Sequence, residues 1–276
     1  MVFQPQIALG NLEWALRSLS GRGGLFHGEP VFSSSADLSD PLAPALSIQE
    51  KNGAVCFNQP WEGLSGDLFY DRMLPNGERF LFFADAAGHG VEAYLLAEFA
   101  LAFLEEIFQE EKPDSRELLK IAEKLNGSLE ELNEGLITAL FLSIDAKLGL
   151  RMINYGHPPP LIYSVAEKEI KSYYATHPPL GACVGLPGKC SFIQLKPGDK
   201  LFLYTDGLYE NQSPEADPYP VERVETCFKE HINEQNKNSE IMKGMLHSFL
   251  PEINRPLDDV SAILLEIPPA PQSAPG

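Results

Sequence analysis

Acidic residues stand at the ends of apolar, strand-like runs of the sequence, where a carboxylate is costly to bury. They are Asp67, Asp85, Asp206 and the adjacent pair Asp258 and Asp259. A carboxylate at the end of a buried strand needs a partner that offsets its charge. Hard divalent cations are such partners, because they prefer carboxylate and water oxygens as ligands. Since these positions span most of the chain, the pattern predicts one metal centre that the fold assembles.

Asp85 lies in the most informative of these segments. The run Phe80 to Ala84 before it predicts a buried strand, and Gly88 and Gly90 after it allow a sharp turn into a helix that starts near Val91. The free amides at the start of a helix favour a nearby anion. The same pattern is also consistent with Asp85 acting only as the N-cap of that helix.

Asp206 follows a second apolar run and precedes Gly207, which on its own is a common turn signal. An aspartate in this position also occurs in enzymes that form an aspartyl-phosphate on an Asp-x-Asp loop. The second carboxylate of such a loop would fall at position 204 or 208. Tyr204 and Leu208 occupy those positions, so we exclude this mechanism.

Composition limits the classes of partner. The 276 residues include 39 acidic and 21 basic side chains, with a formal net charge of -18, which disfavours nucleic acid and anionic membrane surfaces. No signal peptide and no apolar run of about 18 residues is visible, and we predict a cytoplasmic protein. The cysteines form no Cys-x-x-Cys pair and are predicted to be buried free thiols: Cys56, Cys183, Cys190 and Cys227.

The chain divides into three parts by composition. Residues 1–50 contain a short amphipathic helix followed by a linker, residues 51–267 form the main domain, and residues 268–276 are a Pro-rich tail predicted to be disordered. The helix is marked by leucines at helical spacing: Leu9, Leu12, Leu16 and Leu19. It could pack on the main domain or serve as a dimerisation or regulatory helix, so a homodimer is one possible assembly.

The main domain is predicted to be rich in strands, with grouped helices between them. Turn dipeptides such as Asn76-Gly77 and Pro197-Gly198 separate apolar runs. The predicted strands are Ala54–Gln59, Asp67–Leu74, Arg79–Asp85, Ile137–Asp145, Leu150–Tyr155, Leu161–Ser164, Glu169–Ala175, Ser191–Leu195, Lys200–Thr205 and Val260–Ile267. The predicted helical regions are Val91–Phe108, Ser115–Leu132 and Val221–Leu250. This order predicts an α+β fold with mainly antiparallel sheets.

Five motifs in order resemble those of the metal-dependent PPM (type 2C) protein phosphatases. They are Ser65-Gly66-Asp67-Leu68-Phe69-Tyr70-Asp71, Asp85-Ala86-Ala87-Gly88-His89-Gly90, Asn154-Tyr155-Gly156-His157-Pro158-Pro159-Pro160, Leu203-Tyr204-Thr205-Asp206-Gly207-Leu208 and Asp258-Asp259-Val260-Ser261. The resemblance covers roughly residues 51–267. Within the family it is closest to the bacterial sporulation and sigma-B regulator branch, the SpoIIE-like and RsbU-like proteins.

The resemblance implies an αββα sandwich, in which two antiparallel sheets are stacked between layers of helices. It also implies two Mn²⁺ or Mg²⁺ ions in a cleft at one edge. By matching position, the metal ligands would be the carboxylates of Asp67, Asp85, Asp206 and Asp258 and the carbonyl of Ala86. Strand alternation places only one of Asp258 and Asp259 on the site side, and the family motif favours Asp258.

Some positions depart from the animal enzymes of the family. Ala87 stands where those enzymes have a histidine that is a suspected proton donor, and His89 falls two residues later, where we interpret it as part of the turn. His157 is interpreted as structural. Arg72 is the nearest candidate for an arginine that binds the phosphate.

The resemblance implies hydrolysis of phosphoserine or phosphothreonine by a metal-activated water, without a catalytic side chain that forms a covalent intermediate. The implied substrate is a phosphorylated regulatory protein of the STAS-type anti-sigma-factor antagonist class. Two alternatives stay open at this point. One is a catalytically silent scaffold that binds phosphoproteins, and the other is a metal-binding protein without phosphatase activity.

Overall fold

The computed structural model describes residues 48–61, 63–110, 113–132, 135–182, 189–210, 220–232, 236–250 and 258–268. The predicted amphipathic helix, the linker and nearly all of the Pro-rich tail lie outside the described residues. Within the part that is described, no helix is both long and apolar enough to span a bilayer.

Eleven strands are present among the described residues. In chain order they are β1 (Ile48–Lys51), β2 (Ala54–Gln59), β3 (Asp67–Met73), β4 (Arg79–Ala86), β5 (Ile137–Ile144), β6 (Gly149–Tyr155), β7 (Leu161–Ser164), β8 (Glu169–Ser172), β9 (Ser191–Gln194), β10 (Lys200–Tyr204) and β11 (Val260–Glu266). The ten predicted strands are all found, most of them within one residue of the predicted ends. Strand β1 was not predicted and begins three residues before the predicted domain boundary.

Five α-helices accompany these strands in the described part of the chain. They are α1 (Gly90–Glu110), α2 (Leu118–Leu132), α3 (Gly207–Glu210), α4 (Pro220–His231) and α5 (Asn238–Phe249). A 3₁₀ turn at Ser115–Glu117 leads into α2. The predicted helical region Val221–Leu250 is therefore two helices, and the single-turn helix α3 was not predicted.

The strands form two antiparallel sheets. One sheet has the order β3-β4-β5-β6-β9, and the other has the order β1-β2-β11-β10-β7-β8. All ladders between these strands are antiparallel. Helices α1 and α2 pack on the five-stranded sheet, and α4 and α5 pack on the six-stranded sheet. The predicted αββα sandwich is confirmed.

Alternation along the strands produces three apolar layers, because successive side chains point to opposite faces of a sheet. The middle layer, which we call the inner core, lies between the two sheets. It includes Cys56, Phe69, Leu81, Phe83, Leu140, Leu142, Leu201, Leu203, Ile263 and Leu265. These side chains are at most 2% exposed, so they define which face of each strand points inward. The inner core thereby shows which polar residues further along the same strands face the space between the sheets.

One end of the inner core is closed by a buried ion pair. Arg79 donates from Nε and Nη2 to the two carboxylate oxygens of Asp71, over 2.9 and 2.8 Å. Asn52, in the turn between β1 and β2, donates to the same carboxylate over 3.0 Å. The carboxylate is thus matched by a guanidinium with two parallel hydrogen bonds, which is the strongest geometry for such a pair. At this end the protein supplies the counter-charge from its own side chains.

Candidate metal centre

The other end of the inner core collects the predicted metal ligands. Asp67 begins β3 and Asp85 lies near the end of β4, and the two residues face each other directly in the antiparallel ladder. Phe69 and Phe83, two residues away on each strand, belong to the inner core. The side chains of Asp67 and Asp85 therefore point into the space between the sheets.

The six-stranded sheet contributes the remaining carboxylates at the same end. Asp206 follows β10, and Asp258 lies two residues before β11. The two sheets are joined here by Thr205, whose hydroxyl donates to Asp67 Oδ2 over 3.1 Å and accepts from Ser261 N over 2.9 Å. The fold thus brings the predicted aspartates, which are far apart in sequence, to one edge of the sandwich.

The electrostatics of this edge are those of crowded carboxylates. Burial is the largest cause that raises the pKa of Asp67 and of Asp85 well above the ordinary value, and repulsion from neighbouring aspartates adds to it. The pKa values of Asp206 and Asp258 are raised as well, again mainly by burial. Asp85 and Asp206 are close enough for a hydrogen bond between their side chains. Such groups carry their charges at neutral pH only at a cost, unless cations are bound.

The residues present fit hard divalent cations. Asp67 Oδ1 is buried and has no hydrogen-bond partner, so this oxygen is left for a ligand that the protein does not provide. Among the described residues, no three acidic, histidine or cysteine side chains already form a complete metal cage. The donor set is nevertheless composed of carboxylates, which are the ligands that Mg²⁺ and Mn²⁺ prefer.

Gly66 fixes the approach of the segment before β3 to the Ala86 carbonyl. Ala86 N donates to Gly66 O over 3.2 Å. A Cβ atom on residue 66 would lie 3.0 Å from Ala86 O and 2.9 Å from Ala93 Cβ on α1. Both contacts are shorter than ordinary packing allows. The glycine is therefore required by space, and its backbone is not in the left-handed region.

Replacing Gly66 with alanine is expected to shift Ala86 and to weaken Mn²⁺ binding, with a loss of roughly 1–3 kcal/mol in the free energy of unfolding. Calorimetric titration with Mn²⁺ and chemical denaturation would measure the two effects. Gly127→Ala on α2 is a matched control, since a Cβ there meets nothing within 4 Å. It should raise stability by about 0.5–1 kcal/mol. Unchanged Mn²⁺ affinity in Gly66→Ala would contradict the assigned role.

The adjacent pair Asp258 and Asp259 divides into two roles. Asp259 is buried, and its two carboxylate oxygens accept hydrogen bonds from Trp61 N and Gly66 N, each over 2.7 Å. Asp258 is only half-buried, and its Oδ1 accepts from Asp259 N over 2.8 Å. Asp259 therefore anchors the loop that leads to Asp67, which leaves Asp258 as the candidate metal ligand. Its assignment as a ligand stays a prediction.

Alanine substitutions at these two positions are expected to have opposite consequences. Asp259→Ala leaves two backbone amides without their partner and should cost about 1–3 kcal/mol in the free energy of unfolding. Asp258→Ala should make the metal-free protein slightly more stable, because burial raises the pKa of Asp258 and its charge is unfavourable in the fold, while weakening Mn²⁺ binding. Denaturation in a metal chelator and calorimetry with Mn²⁺ would separate the two effects. Retained Mn²⁺ affinity in Asp258→Ala would refute its assignment as a ligand.

His89 lies in the turn that the sequence predicted, between β4 and α1. Gly88 and Gly90 have φ values of 95° and 72°, a region that favours glycine. The exposed His89 ring contacts Trp61 with a centroid distance of 4.2 Å. Burial raises the pKa values of Asp258 and Asp259, and His89 is close enough to offset part of that rise. His89 is thus part of the turn and also a neighbour of the carboxylates.

His157 has the structural role that was predicted for it. It is 2% exposed, its backbone N–H donates to Asn154 Oδ1 over 2.9 Å, and its carbonyl accepts from Asn154 Nδ2 over 3.1 Å. The Nδ1 atom is 2.9 Å from the hydroxyl of Thr138, which pairs with Asp85 in the β4–β5 ladder. Burial lowers the pKa of His157 to about 3, so the ring is neutral at physiological pH.

Arg72 does not lie at this edge. It is five residues from Asp67 along β3, or about 16 Å at the usual rise of a strand. Its guanidinium donates to the Tyr70 hydroxyl over 2.9 Å and to Glu105 on α1 over 3.3 Å. The interpretation of Arg72 as a phosphate ligand is therefore not supported by its position, because the side chain pairs with α1 instead.

Three polar residues that the sequence interpretation did not single out support the site. Thr205 and Ser261 join the sheets, and Asn58 donates to Ser261 Oγ over 2.8 Å. Each lies two residues from a member of the inner core: Thr205 from Leu203, Ser261 from Ile263 and Asn58 from Cys56. Strand alternation alone would have placed these polar groups on the inner face next to the aspartates.

Comparisons with known proteins agree with this fold. The model of the Stage II sporulation protein E (SpoIIE) family matches residues 75–268. A comparison with curated proteins found no match.

Solved structures share the fold at low sequence identity. The RsbU and RsbW domains of a Mycobacterium tuberculosis protein are 22% identical, with a TM-score of 0.60 over 75% of this chain and 56% of that one. RsbX in complex with magnesium is 19% identical, with a TM-score of 0.56 over 79% of this chain and 96% of RsbX. A third structure contains the PP2C phosphatase domain of SpoIIE from Bacillus subtilis with a fragment of its regulatory domain. It is 16% identical, with a TM-score of 0.62 over 80% of this chain and 64% of that one.

The sandwich of two antiparallel sheets between helices is the architecture of the PP2C-type protein serine/threonine phosphatases, and the chain is a protein phosphatase of this class. Within the class, the match over residues 75–268 shows that the chain belongs to the SpoIIE family. The predicted resemblance to SpoIIE-like and RsbU-like phosphatases is confirmed.

Proposed function

We propose that the protein hydrolyses phosphoserine or phosphothreonine on a regulatory protein, with two Mn²⁺ or Mg²⁺ ions held by Asp67, Asp85, Asp206, Asp258 and the Ala86 carbonyl. The observation that carries the proposal is the buried, unpartnered Asp67 Oδ1 among carboxylates that raise one another's pKa. When bound, the ions would lower the pKa of a water that attacks phosphorus and would offset charge on the phosphoryl oxygens.

The chain's own residues hold this geometry in place. Thr205 orients Asp67 from the opposite sheet through its hydroxyl, and the carboxylate of Asp259 fixes the backbone of Trp61 and Gly66. Because residues 87–89 are exposed at the edge of the site, a phosphorylated side chain can approach from solvent. The cysteines Cys56 and Cys227 are buried, and burial raises the pKa of the Cys227 thiol, so neither is suited to nucleophilic attack.

The substrate we propose is a phosphorylated STAS-type anti-sigma-factor antagonist or a similar small domain in the cytoplasm. Two proteins of similar structure support this choice of substrate. One of them contains RsbU and RsbW domains, and another is described as part of the bacterial stressosome. The magnesium bound to RsbX supports Mg²⁺ or Mn²⁺ as the cofactor.

Phosphate release tests the proposal directly. The purified protein is incubated with Mn²⁺ and either an aryl phosphate or a phosphorylated STAS-type domain, with a chelator in the control reaction. We expect phosphate release that the chelator abolishes, together with calorimetric binding of two divalent ions per chain. Binding of two ions without hydrolysis of either compound would favour a metal-binding protein, and failure to bind ions would favour a silent scaffold.

A further inference from the structure

Three apolar side chains, which we call the rim, surround the turn at the metal centre. Val91 and Leu136 are 60% and 39% exposed, and Trp61 is partly buried. Leu136 is held beside the turn because its carbonyl accepts a hydrogen bond from Ala87 N over 2.8 Å. Trp61 stands on the other side, where its ring contacts His89, and Val91 lies in the first turn of α1.

The grouping of these side chains distinguishes them from ordinary exposed apolar residues. Single exposed apolar residues are common on protein surfaces and need no explanation. Here the apolar groups flank a turn of only three residues, Ala87–His89, which directly follows Ala86. A polypeptide that presents a phosphorylated side chain to the aspartates across this exposed turn would lie against the rim. The rim therefore borders the surface that a protein substrate approaching over the turn would cover.

The charges around the rim restrict what can bind there. Glu92 is exposed next to Val91, and Glu210 is exposed on α3 and raises the pKa of Asp206 by repulsion. With a formal net charge of -18, the protein disfavours a substrate segment that carries acidic residues. Apolar side chains gain from burial against Val91, Leu136 and Trp61 without this repulsion.

From these contacts we infer that the rim binds apolar side chains adjacent to the phosphorylated residue of the substrate protein, and so selects phosphorylation sites in apolar segments. The inference rests on the proposed phosphatase function and specifies the substrate class of the same site. The rim would bind the side chains that flank the phosphorylated residue, whereas the aspartates would hold the ions that contact its phosphoryl group.

Three phosphothreonine peptides of equal length test the inference, flanked on both sides by Leu and Val, by Ser and Gly, or by Lys. With Mn²⁺, we expect kcat/KM to be about tenfold higher for the Leu/Val peptide than for the Ser/Gly peptide. The double variant Val91→Ser, Leu136→Ser should reduce this ratio to near one. Hydrolysis of an aryl phosphate by each protein serves to normalise the values.

The matched control is the double variant Met73→Ser, Phe192→Ser. These side chains are 61% and 62% exposed but lie on β3 and β9, outside the rim, so the preference for the Leu/Val peptide should be retained. Equal hydrolysis of the Leu/Val and Ser/Gly peptides by the unaltered protein would overturn the inference. A preference for the Lys peptide would also overturn it, in favour of recognition by charge.

Binding of phosphonate peptides with the same flanks gives a readout that does not need turnover. Fluorescence anisotropy should show about tenfold tighter binding of the Leu/Val phosphonate, and this difference should disappear in the rim variant. If no phosphopeptide is hydrolysed but the binding preference persists, the proposed hydrolysis fails and the rim stands. If hydrolysis occurs without a preference in either assay, the rim fails and the proposed function stands.

Discussion

Replacing Asp206 with asparagine is expected to abolish Mn²⁺-dependent hydrolysis of an aryl phosphate while making the metal-free protein more stable. Asp206 contributes repulsion that raises the pKa values of Asp67, Asp85 and Asp258. Asp259 repels the same three groups, but its carboxylate also anchors two backbone amides, so its removal would not isolate the electrostatic effect. The loss of activity in Asp206→Asn should be at least about 10³-fold, since the proposed mechanism makes Asp206 a charged metal ligand.

The sign of the stability change follows from the direction of the pKa shifts. The aspartates have raised pKa values when folded, so at neutral pH their ionised forms destabilise the folded protein relative to the unfolded chain. Removing the charge of Asp206 should raise the free energy of unfolding of the metal-free protein by about 1–2 kcal/mol. This magnitude follows from Coulomb's law with an effective dielectric constant near 20. The gain should shrink as the pH falls through the raised pKa values, because protonation relieves the same repulsion.

Thermal unfolding with and without Mn²⁺ measures this effect. The unaltered protein should gain stability from Mn²⁺ and Asp206→Asn should not, so that the order of their melting temperatures reverses when the ion is added. Asp114→Asn is the control, because it removes one carboxylate that pairs with Arg116 in the loop before α2. A metal-free Asp206→Asn protein that melts below the unaltered protein would contradict the electrostatic account.

The neutral state of His157 is expected to make the fold sensitive to acid. Burial lowers its pKa to about 3, although contacts with Thr138 and the Tyr204 backbone offset part of the shift. Because the folded pKa lies below the ordinary value near 6.5, the unfolded chain binds a proton first as the pH falls. The stabilisation is therefore complete above about pH 6.5 and is lost progressively towards pH 3, at up to about 1.4 kcal/mol per pH unit.

A comparison of pH profiles isolates this contribution from that of the aspartates, whose raised pKa values act in the opposite direction. His157→Gln should be less stable than the unaltered protein at pH 7 and should lose less stability between about pH 6 and pH 4. Denaturant titration at each pH supplies the free energies. The control is His247→Gln, on the exposed side of α5, which should not change how the free energy of unfolding depends on pH. If His157→Gln and the unaltered protein lost stability equally between about pH 6 and pH 4, the neutral state assigned to His157 would be refuted.

Much of the fold could be predicted because apolar runs and turn dipeptides carry the information locally. Strand β4 contains the uninterrupted apolar run Phe80–Ala84, and β3 is joined to it through the turn at Asn76-Gly77, so both can be recognised from sequence. Strand β1 was not, because Ile48-Gln49-Glu50-Lys51 has only one apolar residue and exists through its pairing with β2. The division of Val221–Leu250 into α4 and α5 likewise has no strong breaker in the sequence.

The site could be predicted only in part, because its supporting contacts join distant parts of the chain. The aspartates were recognisable from residue type and position at strand ends. The hydrogen bond from Thr205 to Asp67 spans 138 positions, and the hydrogen bond from Asn58 to Ser261 spans 203. The anchoring role of Asp259 depends on where Trp61 and Gly66 fall in the folded loop, which no local pattern encodes.

The Arg79–Asp71 pair at the opposite end of the inner core gives the sandwich a gradient of local stability along β3 and β4. At that end the counter-charge is covalently part of the chain, whereas at the aspartate end the proposed function has it come from solution, so that it would depend on ion concentration. In a chelator, amide hydrogens near Asp67 and Asp85 should therefore exchange with solvent sooner than those near Asp71 and Arg79, although they belong to the same ladder. Local opening of one end, controlled by ion supply, is a direct consequence of this asymmetry.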